Sequence, residues 1–191
     1  MAFLEQYKII LGSASPRRRE LLASLDVEFT VEPVKGVDET APTDMPAMEI
    51  PEFLSRKKAS AYPLSDKQML ITADTLVISD NKPLGKPVDA EDARHILRSI
   101  SGKTHQVVTG VCISTTAKTV SFSAVTDVTF SALTDDEIDY YIKNYKPFDK
   151  AGAYGIQEWI GAIAVSNING SYYNVMGLPL HRLYVELKKF L

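Results

Sequence analysis

The sequence predicts an α/β fold built on a mixed β-sheet, and three observations lead to that prediction. Apolar runs typical of buried strands lie between segments whose apolar residues recur at helical spacing. The run from 69 to 79 is the strongest strand signal in the chain. A strand over 104–114, a turn and a second, long alternating strand form a hairpin. Because this hairpin interrupts the alternation of strands and helices, we expect a mixed sheet.

A tight turn joins the first predicted strand to the first predicted helix. The short apolar run Tyr7–Leu11 indicates a buried strand, and Gly12 opens the turn. Ser15 suits the helix N-cap, and Pro16 suits the first helical position, where its missing N–H costs nothing. The helix then continues with an apolar stripe formed by Leu21, Leu22 and Leu25.

Three arginines, Arg17 to Arg19, occupy the first turn of this helix. A helix N-terminus already carries partial positive charge, so acidic residues are normally preferred there. Free backbone N–H groups, the helix dipole and guanidinium groups together make a strong anion site, most simply one for a polyphosphate. The alternative is a solvated basic turn whose arginines pair with surface carboxylates, and this stretch alone leaves both interpretations open.

The remaining elements follow from the same two periodicities. Helices are predicted over 51–61, from 89 to just before 102, after the capping box at 134–137, and from about 179. Strands are predicted over 27–34, 120–130, 160–165 and 172–175, with turns at 79–82, 115–118 and 167–170. The glycine-rich segment 150–157 suits close approach to a ligand or to another backbone. With no repeat and no linker in view, we expect a single domain over residues 1–191.

Composition narrows the functional classes. The chain has 191 residues, of which 45% are hydrophobic and 24% charged, as in a globular domain with a substantial core. Its net charge of −3 argues against a general nucleic-acid or membrane-surface protein. Neither a signal peptide nor an apolar run of roughly 20 residues is visible, so a cytoplasmic location is expected. Cys112, the single cysteine, is predicted to be a buried thiol.

Three motifs suggest chemistry that their context does not support. Ser101–Thr104 ends like a phosphate-binding P-loop, but Leu97 stands where that motif needs glycine, and a helix precedes it. The three histidines lack metal-ligand spacing, so a zinc site is not expected. Ser13 and Ser15 have no Ser-His-Asp context, which argues against a serine nucleophile.

Asp74 lies in the most apolar strand of the chain, where a carboxylate is costly unless it is paired. One interpretation is a carboxylate that caps a turn at a strand end; the other is a metal ligand or general base beside bound phosphate. Further charged residues lie on loops or helices that flank predicted strands, namely Asp38, Glu39, Lys58 and Lys86. Oxygen ligands together with Lys and Arg suit Mg²⁺-assisted attack of water on a phosphoanhydride.

A series of short motifs, taken in their order along nearly the whole chain, resembles that of the Maf family of nucleoside triphosphate pyrophosphatases. They are Ser13–Leu22, Val37–Glu39, Arg56–Ala59, Ala73–Thr75, Gly85–Pro87, Ser101–His105, Asp149–Gln157 and Gly170 through Leu180. The resemblance implies cleavage of a nucleoside triphosphate between the α and β phosphates, which cleans the nucleotide pool, and a link to cell-division arrest. It also implies a fold similar to inosine triphosphate pyrophosphatases, with an elongated mixed sheet, flanking helices, two lobes around a cleft and a homodimer.

The resemblance further assigns roles to individual residues. Asp74 matches the proposed proton acceptor, and the positions that set the choice of base match Arg18, Thr75 and Gln157. These residues are similar to the subgroup that prefers dTTP and UTP, not to its sister subgroup for 7-methyl-GTP. A Gln amide offers both a donor and an acceptor to the edge of thymine or uracil. The chain departs from the family at Glu158 and Trp159, where glycine is usual, and this departure is expected to narrow or shift specificity.

The remaining candidates complete the expected site. Substrate binding is assigned to four residues, Ser13, Arg17, Lys58 and Lys86. Glu39 and Asp74 are expected to hold a divalent cation, Mg²⁺ or Mn²⁺. The alternative function is a non-catalytic, nucleotide-binding regulator of cell division. Against it, Asp38, Glu39 and Asp74 would repel a triphosphate unless a metal ion lay among them.

Overall fold

The computed structural model describes residues 4–191. The first three residues, which belong to the N-terminal stretch where no signal peptide is predicted, lie outside the described residues. The strands are β1 (Lys8–Leu11), β2 (Phe29–Val31), β3 (Gln68–Ser79), β4 (Lys82–Leu84), β5 (Thr104–Ser114), β6 (Thr119–Phe130) and β7 (Val165–Asn169). The α-helices are α1 (Pro16–Ala23), α2 (Ile50–Ser60), α3 (Ala90–Ile100), α4 (Asp135–Tyr145), α5 (Trp159–Ala164), α6 (Tyr172–Met176) and α7 (Leu180–Leu187). Single 3₁₀ turns are formed by Ala151–Ala153 and Lys188–Phe190.

The seven strands described form one mixed sheet in the order β2-β1-β3-β5-β6-β7, with β4 paired to β3. Strand β1 pairs in parallel with both β2 and β3, whereas the β3–β4 and β6–β7 pairs are antiparallel. The predicted mixed sheet with flanking helices is therefore confirmed. The elongated shape and the cleft stay predictions.

Contacts divide the chain into two compact units. The first comprises residues 1–74, 109–124 and 177–191, and part of its core is formed by Ile10, Ala59, Leu70 and Cys112. The second comprises 75–108 and 125–176, and its larger core includes Leu97, Phe130 and Tyr141. Cys112 is fully buried, as predicted. The expectation of one domain over residues 1–191 stays a prediction.

Local sequence signals set several of the element boundaries. Ser15 caps α1 by accepting the N–H of Arg18, and the capping box of α4 forms from Thr134 and Glu137. The Ser101–Thr104 motif lies between α3 and β5, so its P-loop interpretation fails as expected. No helix among residues 4–191 has the length and apolar character needed to cross a membrane.

The predicted strand over 160–165 is wrong for residues 160–164, which lie in helix α5, and only Val165, the first residue of β7, is in a strand. Ile160 and Ala164, four residues apart, are buried, while Ile163 is exposed, which is a helical pattern. A Cβ atom at Gly161 would lie 1.8 Å from the Ile156 carbonyl oxygen, so only glycine lets this helix pack so closely. A short apolar run of this kind cannot distinguish a strand from a helix by periodicity.

Three further predictions near the sheet edges were also wrong. Residues 167–169, expected in a turn, belong to β7, and residues 172–175, expected to be a strand, form part of α6. The buried Asn174 of α6 donates hydrogen bonds to the Val107 carbonyl and to Thr126 Oγ1, both at 3.0 Å. These tertiary contacts fix the helix, and a single-sequence pattern does not contain them. Strand β2 is also shorter than the predicted 27–34.

Candidate active site

The turn after β1 passes close to β3. The Gly12 N–H donates a hydrogen bond to the Ile71 carbonyl oxygen at 2.8 Å. A Cβ atom at Gly12 would lie 2.8 Å from Thr72 Cγ2, so a side chain has no room there. The glycine therefore lets the turn that begins with Ser13 run alongside the strand that carries Asp74.

Arg18 projects from the first turn of α1, and hydrogen bonds hold its guanidinium in place. Its Nε donates to the Gly177 carbonyl oxygen at 2.9 Å, and one terminal nitrogen donates to Ser13 Oγ at 3.2 Å. The backbone N–H of Arg18 donates to Ser15 Oγ at the helix cap. The guanidinium is thus fixed against the Ser13 turn, and it orients the hydroxyl of Ser13.

The three arginines of this turn have different environments. Arg17 and Arg18 are half-buried, whereas Arg19 is exposed. Burial lowers the pKa of the Arg18 guanidinium, while the carboxylates of Asp74 and Glu39 act in the opposite direction. Arg18 is therefore not a fully solvated residue of a basic turn, and the anion-site interpretation stays a prediction.

Lys58 joins the two predicted metal ligands. Its ammonium donates to Asp74 Oδ1 at 2.7 Å and lies 2.9 Å from Glu39 Oε2. The Lys58 and Asp74 side chains are only 12% and 18% exposed, whereas Glu39 is 58% exposed. Asp74 is therefore paired, as a carboxylate in an apolar strand must be.

The position of Lys58 follows from how α2 packs on β3. Thr72 Oγ1 donates to the Ser55 carbonyl oxygen at 2.7 Å, and both residues are fully buried. Lys58 comes one turn after Ser55 on the helix, and Asp74 comes two residues after Thr72 on the same face of the strand. This contact sets the register in which the ammonium meets the carboxylate.

Neighbouring charges in the same segments lie away from this pair. Asp38 accepts hydrogen bonds from the Lys57 ammonium at 3.2 Å and from Thr40. Both Asp38 and Lys57 are more exposed than the Lys58–Asp74 pair. Of the two acidic residues expected in this loop, Glu39 therefore contacts Lys58, whereas Asp38 contacts Lys57.

In the second unit, the segments that carry Thr75 and Lys86 meet at Gly152. The Gly152 N–H donates to the carbonyl oxygen of Gly85, next to Lys86, at 3.0 Å. A Cβ atom at Gly152 would lie 2.8 Å from Val77 Cγ2, two residues after Thr75 on the same face of β3. The glycine-rich segment therefore approaches another backbone, as its composition predicts. Thr75 is half-buried and Lys86 is exposed.

Gln157 is exposed at the end of the glycine-rich segment. The Glu158 side chain turns inward, pairs with Lys150 at 3.1 Å and accepts a hydrogen bond from the Tyr141 hydroxyl. Sequence reasoning missed both partners. The available signal was the pair of opposite charges at Lys150 and Glu158 within one glycine-rich loop.

His105, to which the sequence assigned no individual role, is a buried polar group of the second unit. It is 1% exposed, and its Nε2 shares a 2.7 Å hydrogen bond with the Tyr154 hydroxyl. Its Nδ1 has no hydrogen-bond partner among the described residues. Burial lowers the pKa of His105 to about 4, so the ring is neutral at physiological pH.

The two carboxylates at Lys58 suit one kind of metal site. Residues 4–191 contain no cluster of three or more His, Cys, Asp or Glu able to hold a metal ion. Mg²⁺, however, commonly binds through one or two carboxylates together with substrate phosphates and water. Asp74 and Glu39 lie close together because both contact the same ammonium, so they fit that requirement.

Among solved structures, the fold is similar to that of the Staphylococcus aureus Ham1 protein. The TM-score is 0.50 at 16% identity, over 95% of this chain and 98% of that chain. This similarity establishes the class of fold. More specifically, the Maf-like protein family matches residues 8–190, and the chain belongs to this family.

Two curated relatives illustrate the similarity in sequence. The dTTP/UTP pyrophosphatase of Phocaeicola vulgatus is 56% identical over 188 residues, which cover 97% of each chain. The dTTP/UTP pyrophosphatase of Porphyromonas gingivalis is 54% identical over 191 residues, covering 98% of this chain and 96% of the relative. The predicted family is thereby confirmed, and the match extends through both units.

Proposed function

We propose that this protein hydrolyses dTTP and UTP to the monophosphate and pyrophosphate and so cleans the nucleotide pool. The observation that carries the proposal is the pairing of Asp74 with Lys58, beside the half-buried Arg18 at a helix N-terminus. This arrangement supplies an oxygen base and positive charges, the groups that phosphoanhydride hydrolysis needs. The similarity to a dTTP/UTP pyrophosphatase over 97% of the chain supports the choice of substrate.

The phosphates are proposed to bind at the start of α1. The helix dipole favours an anion at this end of α1. Arg17 and Arg18 add charge, and Ser13 adds a hydroxyl that Arg18 already orients. Lys86, exposed on its loop in the second unit, is proposed to neutralise the leaving pyrophosphate, together with Lys58.

Asp74 is proposed to accept the proton of the attacking water, which approaches the α-phosphorus in line with the leaving group. Its side chain lies on β3, a long strand that holds it rigidly, and 18% of its surface is accessible to solvent. Lys58 neutralises this carboxylate before substrate binds and can then turn its ammonium toward the phosphate oxygens. The Lys58 ammonium thus neutralises first the Asp74 carboxylate and then the phosphate of the substrate.

A divalent cation, Mg²⁺ or Mn²⁺, is proposed as cofactor, held by Asp74 and Glu39. When bound, it would neutralise charge on the phosphate oxygens. The carboxyl oxygens of this pair are the hard ligands that such cations prefer.

Base selection is assigned to Thr75 and Gln157 in the second unit and to Arg18. The exposed Gln157 amide can donate to one atom and accept from another on the pyrimidine edge. We further propose a cytoplasmic homodimer linked to cell-division arrest, with no nucleic-acid or membrane partner. The modest net charge of −3 supports the last part of this proposal.

The test compares the protein with its Asp74→Asn variant. Each is incubated with dTTP, UTP, CTP, GTP, ATP and 7-methyl-GTP, with Mg²⁺ or Mn²⁺, and products are separated by ion exchange. Monophosphate and pyrophosphate from dTTP and UTP, lost in the variant, are expected. Diphosphate and phosphate would mean that another bond is cut. Nucleotide binding without any product would support the alternative, a non-catalytic regulator, and full activity of the variant would refute the role of Asp74.

A further inference from the structure

We infer that Glu158 is a positioning residue for base selection: with Tyr141 and Lys150, it fixes the turn that presents Gln157. This inference rests on the proposed function, because it takes Gln157 as a residue that contacts the base. It assigns a role to a position where the chain departs from the glycine expected there. The relevant residues all belong to the second unit.

The four residues from Gly155 to Glu158 form a turn that is closed twice. The Glu158 N–H donates to the Gly155 carbonyl oxygen at 3.0 Å. The Gly155 N–H donates to the Tyr141 hydroxyl at 3.0 Å, and that hydroxyl donates in turn to the Glu158 carboxylate. Gln157 is the residue inside this turn whose side chain is exposed. The Gly155 backbone before Gln157 and the Glu158 side chain after it are thus tied to one phenol.

Lys150 completes the network from the other side of the carboxylate. Its ammonium lies 3.1 Å from Glu158 Oε1, and it also pairs with Asp149 at 2.9 Å. A Cβ atom at Gly155 would lie 2.9 Å from Glu158 Cδ and 3.0 Å from Lys150 Cε. The ion pair therefore packs directly against the backbone of Gly155, and any shift of the pair would displace the turn.

The burial of the network explains why it constrains geometry. Tyr141 is fully buried, and the Lys150 and Glu158 side chains are 10% and 20% exposed. Ion pairs in such surroundings contribute little net stability, because desolvation offsets the attraction, but each hydrogen bond has a required direction. An amide can distinguish uracil from cytosine only if its oxygen and nitrogen keep their places, since the two bases reverse donor and acceptor at one edge. A rigid turn beneath Gln157 meets that need.

The test measures discrimination between UTP and CTP, which differ only at the base. Tyr141→Phe removes the hydroxyl, and Glu158→Gln removes the charge paired with Lys150. In both variants we expect the ratio of kcat/KM for UTP to that for CTP to fall about tenfold, since small displacements of positioned groups have effects of this size or larger. Asp149→Asn is the matched control, because it removes the other, more exposed carboxylate on Lys150 and should keep the ratio.

A merely structural role predicts a different result. Loss of stability would lower the rates for both nucleotides equally and leave their ratio unchanged. A double variant with Gln157→Ala adds a second check: if Glu158 acts through Gln157, adding Glu158→Gln to Gln157→Ala lowers the ratio no further. An additive fall, or an unchanged ratio in both single variants, would overturn the inference.

Binding measurements keep this test separate from the test of hydrolysis. Calorimetry with α,β-methylene-UTP and α,β-methylene-CTP gives the same ratio as affinities, without turnover. If the unmodified protein binds UTP in preference but cleaves nothing, the proposed reaction fails while the positioning role is still tested. If it shows no preference in rate or affinity, both are overturned. Should Tyr141→Phe fail to fold in a thermal-unfolding assay, Glu158→Gln alone decides the outcome.

Discussion

Lowering the pH should destabilise the protein through His105 before most carboxylates titrate. The folded-state pKa of His105 is about 4, against about 6.5 for an unfolded histidine. The unfolded chain therefore binds more protons below pH 6.5, and stability falls as the pH decreases from 6.5 towards 4. A difference of this size corresponds to about 3 kcal/mol in full, and to roughly 2 kcal/mol between pH 7 and pH 5. Solvent screens little of this effect, because His105 is only 1% exposed.

The assay is urea unfolding at intervals between pH 7 and pH 5. His105→Gln, which keeps a polar partner for Tyr154 but cannot titrate, should lose most of the fall in unfolding free energy across this range. It should also be less stable than the unmodified protein at pH 7, because it changes a buried aromatic contact with Phe130. His95→Gln, at an exposed position, is the control and should keep the slope. Equal slopes for the unmodified protein and His105→Gln would refute this reasoning.

Two further predictions use matched neighbours. Lys58→Met, which leaves Asp74 without its ammonium, should lower kcat/KM about a hundredfold in a pyrophosphate-release assay, whereas Lys57→Met should change it less than about threefold. Similar losses in both variants would contradict the assigned geometry. Gly152→Ala and Gly36→Ala both introduce a side chain at a φ of +72°, but only the first meets another group. We expect about 1 kcal/mol of destabilisation for Gly36→Ala and about 3 kcal/mol for Gly152→Ala in urea unfolding, and equal costs would refute the contact.

The parts of the fold that sequence reasoning predicted correctly depend on local chemistry. Ser15 caps α1 and the Thr134 capping box opens α4 because each interaction spans only three residues. Strand β5 has the predicted bounds because a long strand carries its own pattern. Helix α6 was missed because Asn174 is fixed by partners 48 and 67 residues away. Such long-range contacts produce no hydrophobic periodicity in the sequence from which the helix could be predicted.

In the candidate site, too, the sequence indicates the types of residue present but not the contacts that they make. The sequence indicates which carboxylates and cations are available, but it cannot rank adjacent ones. Glu39 rather than Asp38 reaches Lys58, whereas Asp38 pairs with the adjacent Lys57. Likewise, the charge of Glu158 was evident, whereas its inward direction depends on Tyr141, seventeen positions away in the chain.

The carboxylates of the first unit create an electrostatic problem that a metal ion would solve. Asp74 and Glu39 both contact the Lys58 ammonium, so an incoming triphosphate meets two negative charges as well as the positive charge of Lys58. A divalent cation would convert this repulsion into shared ligation. Glu39→Gln should therefore strengthen binding of α,β-methylene-UTP in a metal chelator, yet weaken its binding with Mg²⁺. Calorimetry under both conditions measures this reversal of sign. A variant that weakens binding equally with and without Mg²⁺ would assign Glu39 a direct contact with substrate instead.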